Sequence, residues 1–169
     1  ISILGRQPSL GIAELERLYG DVTWFSENSA IINTAQLDFE RLGGSQKAGK
    51  IVAEISHGDW LQASRKLVQA YTTAWQSHTG KITLGISAYG FTVSPREIQK
   101  AGIILKSKLK QSGVCLRLIP NSDSALSTAT SHHNKLGLSD NKVEIMVIRG
   151  KNGKIIIAES IGSQNITAY

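Results

Sequence analysis

Hydrophobic and polar positions along the first third of the chain alternate in short blocks. Ile1 to Gly5 is an apolar run that reads as a strand. Leu10, Ala13, Leu15 and Leu18 then give an apolar side to a helix that follows Pro8, with Ser9 able to cap it, Glu14 in its early turns and Gly20 ending it. Val22 to Phe25 and Ala30 to Ile32 read as two strands around the turn-forming cluster Ser26-Glu27-Asn28-Ser29. Asp38 to Leu42 reads as a short helical piece and Lys50 to Ile55 as another strand.

After the break His57-Gly58-Asp59 the period changes. Leu61, Leu67, Val68, Tyr71 and Trp75 recur at helical spacing in a long helix through about Ser77, in which Trp60 and Trp75 read as core anchors. Ile82 to Tyr89 is a strand of β-branched and aromatic residues. Ser94-Pro95-Arg96-Glu97 then opens a helix with a capping box and Pro at its first position. Ile98, Ala101, Leu105 and Leu109 form its buried stripe up to Gly113. Cys115 to Ile119 is a further strand. A polar helix capped by Ser122 or Asp123 is expected to run to the stop at Gly137. Asn152-Gly153 turns a hairpin between Val143–Arg149 and Lys154–Ala158. The first block has the β-α-β-β-α-β order of a ferredoxin-like unit, and the second is again mixed. The expected class is α+β in two units, 1–57 and 58–169.

A hydrophobic fraction of 41% suffices for packed cores, and no apolar run reaches the ~18 residues of a membrane span. One cysteine, Cys115, excludes an internal disulfide framework and fits a reducing cytoplasmic setting. Net charge is +6, unevenly placed. Residues 1–80 hold seven Lys/Arg against eight Asp/Glu, whereas 81–169 hold twelve against five. That asymmetry directs an acidic partner to the second half.

On helix 94–112, Arg96, Lys100, Lys106 and Lys110 fall within about a third of the circumference, with Lys108 at the other edge and Glu97 the only acid. Arg117 sits mid-strand, suited either to bidentate phosphate binding or to a structural salt bridge. Ser127, Thr130 and Ser131 can donate to phosphate or a ribose 2′-hydroxyl, or bond back to the helix carbonyls. The expectation is positive charge gathered on a single side of the second unit, cradling a ribose-phosphate chain. His132 and His133 point about 100° apart on a helix with no ligand-spaced Cys or carboxylate nearby, so a metal site is rejected. Nucleophile-elbow, P-loop and dinucleotide fingerprints are missing, and Gly85-x-x-x-x-Gly90 lacks the Lys-Ser/Thr of a P-loop.

The segments LGRQPSLGIAELERLYG (Leu4 to Gly20), ISAYG, CLRLIPNSDSALSTATSHHNKLG (Cys115 to Gly137) and AESIGSQNITAY occur in an order that resembles the N-terminal portion of the THUMP-containing tRNA guanine-N2 methyltransferases, guanosine-10 type. The resemblance implies a ferredoxin-like domain followed by a THUMP domain that binds tRNA at the 3′ end of its acceptor stem. The start at Ile1 without Met reads as a processed product or a cut piece. The resemblance implies that the chain holds no catalytic residue and no cofactor of its own. A methyltransferase domain using S-adenosylmethionine and an Asp-Pro-Pro-Tyr-type motif would follow Tyr169. The implied partners are tRNA and that domain, with no membrane. Arg117 matches the arginine of the family's V-R strand, and His133, Asn134 and Lys135 match its H-N-K helix end; Cys115-Leu116 stands where Ser-Val is more usual. The RNA-contacting set is therefore expected to be Arg96, Lys100, Lys106, Lys110, Arg117, Ser127, Ser131, His133, Asn134 and Lys135. The competing class is a protein-interaction module packing on a methylase domain with no RNA affinity of its own.

Overall fold

The elements run β1 (Ser2–Leu4), α1 (Pro8–Tyr19), β2 (Val22–Ser26), β3 (Ser29–Ile32) and β4 (Ser45–Ile55). They continue as α2 (Trp60–Trp75), β5 (Lys81–Tyr89), α3 (Pro95–Gln111), β6 (Cys115–Leu118), α4 (Thr128–His133), β7 (Lys142–Arg149) and β8 (Ile155–Ser163). The computed structural model describes residues 1–165, so the last four residues of the AESIGSQNITAY segment lie outside it. All eight strands form one mixed sheet in the order β2-β3-β1-β4-β8-β7-β5-β6. β5 is parallel to both β6 and β7, and the other pairs are antiparallel. Among the described residues no helix is long and apolar enough to cross a membrane.

The pairing of β4 with β8, from Lys47 opposite Ser163 to Ile55 opposite Ile155, carries the sheet across the expected boundary near residue 58. Within 1–57 the strand order is β2-β3-β1-β4, but the second helix of the expected unit is a single 3-10 turn at Phe39–Arg41. β4 begins five residues earlier than its apolar pattern suggested, because Lys47 and Lys50 interrupt the pattern while the ladder to β8 continues through them.

Helices α2 and α3 cover one sheet face. Leu67, Tyr71 and Trp75 meet Ile98, Leu105 and Leu109 over Leu84, Ile86, Ile145 and Val147. The predicted stripe of α3 is buried at every position, and both capping-box bonds between Ser94 and Glu97 form. The opposite face collects Ile1 and Ile3 of the amino-terminal strand with Met146, Ile148, Ile156 and Ala158. β1 and β7 are three strand steps apart, and Ile156 and Ala158 of β8 lie in the same cluster between them.

Two local expectations shift for identifiable reasons. α1 begins at Pro8 with Gln7 in the cap position, and its inward side is Gly11, Ile12 and Leu15, leaving Leu10 65% exposed. The rotation follows from Gly11, where a Cβ would lie 2.7 Å from the Gly44 carbonyl oxygen, and from Glu14, whose carboxylate accepts the Gly43 and Gly44 N–H groups at 2.9 Å each. The LGRQPSLGIAEL segment thus builds a helix-to-loop contact in this structure. Gly11→Ala gains about 1 kcal/mol of helix propensity but forces a methyl against rigid backbone, costing roughly 1–3 kcal/mol. A net loss of stability is expected in urea denaturation.

The other shift concerns the polar helix, which starts at Thr128 rather than at Ser122 or Asp123. Asn121 donates to the Ile86 carbonyl, Ala88 N–H to the Ser124 carbonyl, and Leu126 N–H to Ser87 Oγ. A segment tied to β5 at three points cannot wind into a helix.

Candidate nucleic-acid interface

β6 is the edge strand of the sheet, and its alternation decides where its charge goes. Leu116 and Leu118 pack in the core under α3, with Leu118 pressed against Gly102. Arg117 therefore points to the opposite face. Thr83 stands in register with both Arg117 and Lys142, and Lys81 stands beside Cys115. Lys81, Arg117 and Lys142 consequently share one face in adjacent rows about 4.8 Å apart. Lys81 and Arg117 are exposed and Lys142 is half-buried.

The turn that carries Lys135 is tied to β7 at Lys142. After α4 the chain turns through Lys135 at φ 55°, Leu136 drops onto Gly85, and Gly137 N–H bonds the Lys142 carbonyl at 2.8 Å. Exposed His132 and His133 flank this turn.

A buried ionic network holds this segment against the sheet. Lys47 Nζ donates to Glu144 at 2.5 Å and to the Leu126 carbonyl at 2.7 Å, and lies 5.8 Å from the Tyr89 ring centroid. The same carboxylate accepts Ser87 Oγ at 2.7 Å and Ser131 Oγ at 2.6 Å. Lys47 and Glu144 are 2% and 0% exposed, so no water competes for these bonds. Burial pushes the Lys47 ammonium below its usual pKa, and the Glu144 charge offsets part of that. β4, β5, β7 and α4 thus meet at one carboxylate, and the 120–126 segment joins them through Lys47 and Ser87.

The structure corrects several expected site residues. Ser131 is fully buried and donates to Glu144, so it cannot touch RNA. Ser127 caps α4, accepting Thr130 N–H at 3.1 Å, and Asn134 donates to the Thr130 carbonyl, the local bonding such residues often adopt. The charge is not gathered on one side, because α3 lies on the sheet face opposite Arg117. On α3 itself, Lys100 lines the groove toward α2 together with Lys108. At about 100° per residue, Lys106 and Lys110 fall on the other flank, nearer β6, with Arg96 between. These residues are all exposed, as are His133 and Lys135. Among the described residues the ion pairs are Lys47–Glu144 and Lys154–Glu54, so none of these cations is neutralised by an acid.

Lys106 and Lys110 on one side of β6 and Lys81, Arg117, Lys142 and Lys135 on the other make a cationic band around an open sheet edge. No family model matches the sequence, and no curated protein matches it. Among solved structures, TrmN from Thermus thermophilus aligns with 96% of this chain at a TM-score of 0.54 and 14% identity. The fold is similar to that of TrmN. The chain spans 45% of the length of TrmN. A 4-thiouridine synthetase solved as an RNA complex with bound ATP aligns with 94% of the chain and 38% of its own length, with a TM-score of 0.47 and 14% identity.

The strand register brings forward two residues that periodicity did not single out, Lys81 and Lys142. Each opens a strand, where a polar residue reads as a terminus. Only the parallel register sets them beside Arg117.

Proposed function

We infer that this chain is the tRNA-binding part of a tRNA-modifying enzyme. Its work is positioning: the band around β6 grips the phosphates near the acceptor end, and the 3′ terminus lies over the turn at His133 and Lys135. Phosphate contacts set register without reading sequence, which suits a module that presents many tRNAs to one active site. The observation that carries this reading is the unneutralised cationic band. The fold similarity to TrmN and the likeness of the Cys115–Gly137 segment to THUMP-containing guanine-N2 methyltransferases support it. In the full protein, a cytoplasmic enzyme, methyl transfer belongs to an S-adenosylmethionine-binding domain outside this chain.

A gel shift with intact tRNA and with tRNA lacking its 3′-terminal nucleotides tests this. Weaker binding to the truncated form is expected, together with an affinity that falls steeply with salt. Equal binding of both forms would favour a module that packs on a methylase domain without reading the acceptor end.

A further inference from the structure

The flank of α3 that faces away from the cationic band forms a groove with α2. Its volume is about 1030 Å³, and it is lined along α2 from Trp60 to Thr73, roughly 20 Å or three to four helical turns. The floor and lip are apolar: Val68 and Ala101 are buried, whereas Leu61 and Ile104 remain 55% and 41% exposed. The rim carries Arg65, Lys100, Lys108 and Arg149 against two acids, Asp59 and Glu97. Both acids are engaged locally. Asp59 caps α2 by accepting the Leu61 and Gln62 N–H groups, and Glu97 accepts Ser94 N–H. Arg149 donates to the Gly58 carbonyl, which leaves Arg65, Lys100 and Lys108 as charges without an ion-pair partner among the described residues.

We propose that the α2–α3 groove docks an acidic amphipathic helix of a protein partner. This goes beyond the RNA reading and uses a different flank of α3. Two exposed apolar side chains lining the same groove as three cations match a helix with leucines at i, i+3/i+4 and i+7 and carboxylates beside them. A phosphate backbone would leave Leu61 and Ile104 against charge. Stacked bases fit no better, because Trp60 already sets its ring edge-on to Phe91, with centroids 5.4 Å apart at 79°. The apolar strip also suits burial on binding, at ~25 cal/mol for each Å² removed from water.

The test uses a fluorescein-labelled 18-residue model peptide with leucines at those positions and glutamate on its polar side. Controls carry lysine for glutamate, or the same residues scrambled. Anisotropy should show the acidic peptide binding at least about tenfold more tightly than either control. Leu61→Asp with Ile104→Asp should remove that advantage, as should Lys100→Glu with Lys108→Glu. Binding should shift the intrinsic tryptophan emission, and Trp60→Phe should abolish the shift. The Leu61→Asp/Ile104→Asp protein, altered only at exposed positions, should keep its circular dichroism and its tRNA affinity.

Equal binding of the three peptides overturns the proposal, as does acidic-peptide binding that ignores the groove substitutions. Loss of tRNA affinity in the Leu61→Asp/Ile104→Asp protein would assign the groove to RNA instead. Binding of vesicles rich in anionic phospholipid, with the peptide ignored, would assign it to a membrane surface. Failure of tRNA binding throughout, with groove-dependent peptide binding intact, would remove the RNA reading and leave this one standing.

Discussion

Lys47→Met is expected to lower the free energy of unfolding by about 3–5 kcal/mol, because it leaves the Glu144 carboxylate buried without a counter-charge. Glu144 would keep only the Ser87 and Ser131 hydroxyls, and the Leu126 carbonyl would lose its donor. Neutral hydroxyls cannot replace an ammonium in a site that excludes water. Replacing both charges, as in Lys47→Met with Glu144→Leu, should recover much of the loss, since a well-packed apolar pair removes the cost of burying ions. Urea unfolding of the two single variants and the double variant gives the coupling directly. A single variant within 1 kcal/mol of wild type would show that water or a rearranged side chain relieves the charge.

The same pair shapes the pH profile. The folded-state pKa of Lys47 lies below its usual 10.5, so in the alkaline range the unfolded chain binds more protons at this position. The Lys47 contribution to stability therefore rises as pH climbs through the folded pKa and levels off above 10.5. Tyr71 and Tyr89 act in the opposite sense. Burial pushes both phenols up, so the folded state holds their protons longer and loses stability as pH rises beyond the usual tyrosine value. Lys47→Met should remove the rising limb and leave the falling one.

The second large effect is on RNA. Lys81→Ala, Arg117→Ala and Lys142→Ala together should weaken tRNA binding roughly fifty- to hundredfold near 0.15 M salt and lower the salt slope by about two to three. Each lysine or arginine that neutralises a phosphate releases counterions, and three contacts at about 0.7–0.9 slope units each give that range. The three side chains belong to neighbouring strands on one face and none holds an ion pair among the described residues, so the protein should stay folded. Fluorescence anisotropy against salt concentration checks both numbers. An unchanged dissociation constant would move the interface off this face. Lys106→Ala with Lys110→Ala on the other side of β6 should have a smaller effect of the same kind, two contacts instead of three.

Much of the fold was legible from one dimension. The stripe Ile98-Ala101-Leu105-Leu109, the Ser94/Glu97 capping box and the Asn152-Gly153 hairpin all formed where local chemistry asks for them. Propensity and periodicity are local, and these elements need nothing distant to decide them. The polar helix starts later than its local signals ask, for the converse reason. Ser122 and Asp123 make good caps, but the backbone beyond them is claimed by β5, and no spacing rule reports a bond to a residue 35 positions away.

The site divides along the same line. That the second half is cationic, and that α3 and Arg117 carry much of the charge, follows from residue identity alone. Which cations stand together does not. Parallel register put Lys81 and Lys142 beside Arg117, strand alternation turned Arg117 away from α3, and a carboxylate on β7 drew Ser131 and Lys47 out of solvent. A sequence determines what each residue can do and how its near neighbours wind, because those depend on short-range sterics and hydrogen bonds. Only the tertiary structure decides which face a residue shares and with whom, because that is set by pairings between segments tens of residues apart.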